Sequence, residues 1–312
     1  MESEHPDDVA EMEVRFPSDF VHLETKWLAH KREKAAAKAT GQSTDAWGCT
    51  WTLGVHGELE TVVEPPLIDA AKMADYAPPT ALLESGRFAK ASKACEGTTR
   101  FTLAWSEVRP LDRLRFLRGA EAAVAELTAG SKDVRRLLDN LQEFFRREME
   151  LWARSDVDGV VFCDDPGWHP APRISPKTWR NVFKPLYHEY CEILHAQDKF
   201  AFFHSDGQIS DIFDDLIEVG VDAVHSRLFA MDFEKLVEKG RGRITFWGEI
   251  ERQKLDLPNT AAAVREAVLR MRKALDCGGG GVIAQYAWRP GTPIRNVAKF
   301  FEEWLIPLPV TV

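Results

Sequence analysis

The tetrapeptide His204-Ser205-Asp206-Gly207 carries side chains suited to chemistry. An imidazole two residues from a carboxylate supplies either two metal ligands from one loop or a histidine with the carboxylate that orients it. The apolar run Phe200-Ala201-Phe202-Phe203 precedes it, and the segment Ile209 to Val219 after it is helical in period. His204 and Asp206 are therefore expected at the C-terminal end of a buried strand. In α/β architectures ligands bind at that edge, where strand ends and helix N-termini converge. Comparable positions carry more polar groups. Asp164, Asp165 and Trp168 follow the run Val157 to Cys163, His225 and Arg227 follow Val224, Glu249 follows Phe246-Trp247-Gly248, and Tyr286 follows Gln285. A carboxylate placed after an apolar strand is partly desolvated and can stabilise charge or deliver a proton.

These positions depend on a rhythm that begins near residue 100. Strands are expected at Phe101 to Trp105, Val157 to Cys163, Phe200 to His204, Asp222 to His225, Arg243 to Trp247 and Gly281 to Gln285. Helices are expected at Leu111 to Ala129, Lys132 to Ala153, Ser175 to about Ala196, Ile209 to Val219, Asp232 to Lys239, Thr260 to Leu275 and Pro293 to Trp304. Ser175-Pro176 and Thr292-Pro293 pair an N-cap hydroxyl with a proline at the first helical position, and Gly220 and Gly240 are C-caps. Such alternation implies parallel strands joined by right-handed crossovers.

A closed barrel needs eight strands, so two would have to come from the first hundred residues, which show no convincing pair. There the pattern gives a solvated basic helix over Glu24 to Thr40 and a β-hairpin of Asp45 to Trp51 and Leu59 to Val63 around Gly54-Val55-His56-Gly57. A doubly wound open sheet is the alternative. It lacks a phosphate-binding glycine fingerprint, because Gly278-Gly279-Gly280-Gly281 precedes a strand instead of following one. The expected organisation is one α/β domain over residues 1–312, irregular over 1–100 and regular over 101–312.

At 312 residues, with 45% hydrophobic and 29% charged side chains, one large core is expected. A net charge of −9 argues against nucleic acid as a partner. The acidic start Met1-Glu2-Ser3-Glu4 and the absence of a long apolar run point to a cytoplasmic protein without a membrane partner. The five cysteines, Cys49, Cys95, Cys163, Cys191 and Cys277, are scattered and odd in number, which does not make a disulfide framework.

Several ordered segments resemble the uroporphyrinogen decarboxylase superfamily. They are Phe162-Cys163-Asp164-Asp165-Pro166-Gly167, Ile174-Ser175-Pro176 with Phe183-Lys184-Pro185-Leu186-Tyr187, Phe203-His204-Ser205-Asp206-Gly207, Leu216 to Ala223, and Pro290-Gly291-Thr292-Pro293-Ile294-Arg295-Asn296-Val297. The resemblance implies a (β/α)8 TIM-type barrel with its site at the C-terminal mouth. It also implies either decarboxylation of porphyrinogen side chains or methyl transfer involving a corrinoid protein and a zinc-activated thiol. The Arg-Gln-Ala-Gly-Arg type motif that grips porphyrinogen carboxylates has no match, so the corrinoid-dependent methyltransferase-like branch is the closer one. That branch places a His-x-Cys pair at His204 and Asp206 and a further cysteine where Tyr286 stands. Both thiolates are replaced here. The resemblance therefore implies a harder, oxygen-rich Zn2+ site of His204, Asp206 and Glu249, with the corrinoid supplied by a partner protein.

The chain also begins at the family's second strand region, near Phe16-Pro17-Ser18-Asp19, so the first strand is expected to be missing and the open seam covered by a homodimer partner or the N-terminal segment. The combined catalytic set is Asp164, Asp165, His204 and Glu249. The substrate-binding set is Trp47, Trp168, His225, Arg227, Gln285 and Tyr286. The expected function is methyl transfer from a methylated small molecule. The alternatives are a carboxy-lyase, or a degenerate barrel that binds a small ligand without turnover.

Overall fold

The computed structural model describes residues 6–23, 41–54, 59–84, 86–166, 174–249, 261–276, 280–286 and 292–307. The strand rhythm is present. Phe101–Trp105 (β5), Gly159–Cys163 (β6), Phe200–Ser205 (β7), Ala223–Ser226 (β8), Thr245–Glu249 (β9) and Val282–Gln285 (β10) fall where the apolar runs place them. A further strand, Phe20–Leu23 (β1), pairs parallel with β5. The seven form one parallel sheet in the order β1-β5-β6-β7-β8-β9-β10. The sheet curls on itself, since Phe20 of β1 stacks on Trp247 of β9 with ring centroids 6.3 Å apart. This is a TIM-type barrel lacking one strand among the described residues, and its seam lies between β1 and β10.

Helix Pro6–Arg15 lies at that seam. Its Met12 packs on Val297 and Ala298 of the helix Ile294–Leu305, Phe16 stacks on Phe301 at 5.4 Å, and Arg15 pairs with Glu302.

The period-two alternation of the strands separates two apolar layers. Leu103, Val161, Cys163, Phe202, Ala223 and Trp247 fill the bore. Ala104, Val160, Phe162, Ala201, Phe203, Val224 and Phe246 face the helices. Burying each such large apolar side chain contributes roughly 1.5–3 kcal/mol, so each strand is fixed from both faces.

Helix boundaries differ from the pattern in three places, the first two for a local reason. Leu111 to Ala129 is divided into Pro110–Arg118 and Ala120–Thr128 by Gly119, whose φ of 87° no helix accommodates. Ser175 to Ala196 is divided into Pro176–Val182 and Lys184–His195, because Pro185 has no N–H to return to the preceding turn. The segment expected to be helical from Ile209 starts at Phe213 instead, after turns at 210–212.

The hairpin is a three-stranded antiparallel sheet, Gln42–Thr44 (β2), Thr50–Leu53 (β3) and Leu59–Glu64 (β4), because Gln42–Thr44 adds a strand that its polar sequence does not announce. Buried Asp45 holds the β2–β3 turn. It accepts the Trp47 and Cys49 amides and the Trp51 indole N–H at 2.9 Å each. The Glu24 to Thr40 helix and most of the Gly54 to Gly57 turn lie outside the described residues.

Close packing between helix and sheet gives one testable consequence. A Cβ at Gly240 would stand 2.6 Å from Phe246 and 2.8 Å from Phe213, whose rings stack on each other. Gly240→Ala is expected to cost about 1–3 kcal/mol by overpacking. The urea unfolding midpoint measures this, and an unchanged midpoint would show that the rings yield freely.

Candidate active site at the barrel mouth

The upper bore is built by residues two apart on neighbouring strands. On β7 the bore positions are Phe202 and His204, and on β8 they are Ala223 and His225. The parallel register sets His204 beside His225, and their Nδ1 atoms lie 2.6 Å apart. One nitrogen of that contact must donate and the other accept. Nε2 of His204 lies 4.0 Å from the Asp206 carboxylate, beyond hydrogen-bond reach but close enough for the negative charge to favour a proton on that nitrogen, so we assign His225 as the donor from Nδ1 and the His204 proton to Nε2. Arg227 Nε lies 3.8 Å from the other Asp206 oxygen.

Burial depresses the basicity of His204, and the Asp206 and Asp165 charges oppose it. His225 is pushed down to about 3, by burial and then by the neighbouring imidazole. Both rings are neutral near pH 7. An unfolded histidine takes up a proton below about pH 6.5. The pair's contribution to stability is therefore complete above that pH and is lost as the pH falls toward the folded value. The thermal midpoint is expected to drop between pH 7 and pH 5, and the drop to shrink in His225→Gln. Equal pH profiles for the two proteins would contradict this.

The rings beneath the pair are aromatic. His225 stacks on Trp247 at 4.7 Å, His204 meets the Trp105 edge at 5.7 Å, and Phe202 meets Trp247 at 5.8 Å. Trp105 Nε1 donates to His22 Nδ1 at 3.4 Å.

Asp165 stands at the same mouth. Its carboxylate accepts Ser205 Oγ at 2.7 Å and the Gly207 amide at 3.2 Å, so it braces the His204 loop. Asp164 points the other way, toward the helix layer. It is buried and accepts the Leu111 and Asp112 amides at 3.0 and 2.7 Å and Tyr187 Oη at 2.6 Å. It thus anchors the N-terminus of helix Pro110–Arg118. Burial raises its carboxyl above the ordinary range, while Tyr187 and the two amides pull it back. Asp112 beside it is pushed up to about 8 by burial and by the charges of Asp164 and Asp165. Cys163 faces the bore, and burial pushes its thiol up to about 12, so it is no thiolate.

The other expected residues do not all converge. Gln285 faces the seam. Tyr286, the next residue, lines the same seam cavity and its ring meets Phe300 at 5.3 Å. Trp47 lies outside the barrel against Phe144 and Phe145, under the Arg113 guanidinium at 4.0 Å. Glu249 pairs with Gln285 through the backbone register of β9 and β10. Trp168 and the Glu249 side chain lie outside the described residues.

The zinc site implied by resemblance can be tested against these positions. A phenol, Tyr286, stands at the second thiolate position, Asp206 is shared with Arg227, and the side chain of Glu249, the third member of the implied set, lies outside the described residues. Among the described residues, no three His, Cys, Asp or Glu side chains come together to hold a metal ion. The described residues do not fit a thiolate-type zinc centre, and no step below is routed through a metal.

A cavity of about 1090 Å³ opens at the seam, lined by Phe20, His22, Trp105, Glu107, Arg109, Trp247 and Gln285 among others. The histidine pair is not on its wall. Trp105 and Trp247 stand between, touching the cavity on one side and the imidazoles on the other. Arg109, His22 and Trp105 carry no motif. Arg109 was legible only as a polar residue just past β5 and before the helix-starting Pro110, and His22 only as the second of an alternating pair with Phe20.

An open (β/α) barrel with polar groups gathered at its C-terminal mouth defines the class of protein. The sequence model of the uroporphyrinogen decarboxylase family matches residues 43–304, and the chain belongs to that family. Among solved structures, a methyltransferase from Methanosarcina mazei has the same fold, with a TM-score of 0.65 and 18% identity over 83% of this chain and 75% of its own. A D-psicose 3-epimerase structure is more distant, with a TM-score of 0.39 and 12% identity over 75% of this chain and 83% of its own. No curated protein matches the chain in sequence. Among the described residues, no helix is long and apolar enough to cross a membrane.

Proposed function

We propose that this chain is a cytoplasmic enzyme that takes a methyl group from an oxygen, nitrogen or sulfur atom of a small molecule and passes it to a corrinoid held by a partner protein. The observation that carries the proposal is the neutral His225–His204 pair, which presents an N–H at the mouth of a barrel whose fold is shared with a methyltransferase. The methyl carbon bonds to the carrier, which supplies the electron pair, and the carbon–heteroatom pair stays on the heteroatom. His204 Nε2–H donates a hydrogen bond to that atom as charge develops. His225 fixes the tautomer, and solvent at the mouth supplies the final proton. An imidazole of ordinary basicity would be partly charged near neutral pH, whereas a depressed one remains a neutral donor, the logic of a neutral histidine electrophile. Asp165, through Ser205 and Gly207, holds the loop in place.

A carboxy-lyase is the second reading. It is favoured by Arg227 at the mouth and Arg109 on the cavity wall, two cations placed where a substrate carboxylate could be held. The deciding experiment incubates the full chain with methyl-labelled ethers, amines and thioethers and a reduced corrinoid protein. Label on the corrinoid supports methyl transfer. Carbon dioxide from carboxylates with no methyl transfer supports the lyase. Neither reaction from a folded protein leaves the barrel as a binding module.

A further inference from the structure

The loop that carries His204 is gripped by two residues at the end of the neighbouring strand. The Asp164 amide donates to the His204 carbonyl at 3.1 Å, and the Asp165 carboxylate accepts Ser205 Oγ and the Gly207 amide. Whatever fixes residues 164 and 165 therefore fixes the imidazole. Helix Pro110–Arg118 holds them at two points. Its Leu111 and Asp112 amides take the Asp164 side chain, and Arg115 Nη1 donates to the Asp165 carbonyl at 2.6 Å. Arg115 is buried, and a charged donor to a carbonyl is roughly twice as strong as a neutral one.

The same Nη1 lies 3.2 Å from Asp112 Oδ1, one turn earlier on the helix. One nitrogen thus serves a loop carbonyl and a carboxyl group, and the charge on that carboxyl decides how it is shared. Asp112 is faced by Asp164 and Asp165 from the strand end, by Arg109 and Arg115 on its own side, and by Cys163 and Tyr187 from the elements behind them. Asp164 accepts three donors, which favour its charged form, whereas among the described residues the Asp112 carboxyl accepts from Arg115 alone. The proton therefore resides on Asp112, which releases it near its raised value of about 8. Once charged, Asp112 draws Arg115 from the Asp165 carbonyl and repels the Asp164 and Asp165 carboxylates. Both effects loosen the loop. An unfolded aspartate titrates near 3.9, so the hold belongs to the protonated fold and is lost as the pH rises through the folded value.

We infer that Arg115 is a positioning residue for His204, acting through the Asp165 carbonyl, and that Asp112 sets the strength of its grip. The role of His204 as a donor rests on the methyl-transfer reading; the tether rests on the contacts alone.

NMR of the imidazole nitrogens and amide hydrogen exchange of the full chain test this without any substrate. His204 and His225 are both neutral from pH 7 to pH 9, so a change in their ring shifts across that range reports a new neighbour or tautomer and not their own titration. The expected result is a transition near pH 8, with the protection of the Gly207 and Asp164 amides falling about tenfold or more. Asp112→Asn stays neutral and is expected to abolish the transition. Arg115→Met is expected to show the loosened loop already at pH 7, and Arg115→Lys, which keeps a charged donor, to restore part of the protection. Gly240→Ala, destabilised elsewhere, is expected to lower the unfolding midpoint without moving the ring shifts. A transition that persists in Asp112→Asn overturns the role of Asp112, and full Gly207 protection in folded Arg115→Met overturns the tether. If Arg115→Met does not fold, Arg115→Lys carries the test, and protection equal to the wild type at every pH overturns the inference. On a turned-over substrate kcat is expected to fall above pH 8 in the wild type and not in Asp112→Asn. Absence of methyl transfer with the expected shifts removes the reaction and leaves the tether. Methyl transfer with shifts independent of pH does the reverse.

Discussion

Replacing His204 with glutamine is expected to lower kcat by about 10²–10³-fold with little change in KM. That is the usual loss when one preorganised donor to a developing negative charge is removed. The expectation follows from geometry. In the assigned tautomer His204 carries its proton toward the mouth because His225 donates to its other nitrogen across 2.6 Å, and His225 is held against Trp247 by stacking. Glutamine keeps a donor but not the imidazole's reach or its fixed tautomer. His225→Gln should reproduce part of the loss, since it frees the tautomer while leaving the donor. Loss of activity in His225→Gln with full retention in His204→Gln would reverse the roles given to the two rings. Steady-state rates on a turned-over substrate, with circular dichroism to confirm folding, decide it.

Asp164→Ala carries the second large effect, on stability. The carboxylate accepts two backbone amides and the Tyr187 hydroxyl in a buried position. Losing a helix N-cap costs about 1–2 kcal/mol, and leaving a buried hydroxyl without its acceptor costs a further 1–3 kcal/mol. A total of about 3 kcal/mol or more is expected, read from chemical denaturation. Asp164→Asn should fall between, because its amide keeps one acceptor oxygen. Asp164 meets the helix N-terminus and Tyr187, so its effect is on the helix it anchors. A fully stable Asp164→Ala protein would show that the helix N-terminus is satisfied without it.

The regular half of the fold was legible because its strands are short apolar runs between glycine and proline punctuation, most of them largely buried, a pattern with few alternative readings. β1 was not. Phe20-Val21-His22-Leu23 is short, and its partner β5 is about eighty residues away in sequence. The β2 strand, Gln42–Thr44, is too polar to announce itself. At the site, His204 and His225 were legible as strand-end residues, but their contact was not, because it depends on the register between β7 and β8. The roles of the adjacent acids Asp164 and Asp165 were inseparable for a related reason. Neighbours on one strand point to opposite faces, and the sequence does not say which face each takes until the sheet curls. Trp47 shows the opposite limit. A large aromatic in an irregular segment reads equally well as ligand wall or as core, and here it serves the core of the small antiparallel sheet.

The seam between β1 and β10 has a mechanical meaning. A fully closed barrel can widen only by breaking backbone ladder hydrogen bonds, whereas between these two strands no such bond joins the described residues. Among the described residues, what resists their separation is side-chain packing around the helices at residues 6–15 and 294–305, through the Phe16–Phe301 stack and the exposed Arg15–Glu302 pair. Surface ion pairs are weak and screened by salt. The width of the opening is thus adjustable by a few surface substitutions without any change to the sheet. Substitutions at this gap would alter the size of what it admits while leaving the histidine pair at the mouth untouched.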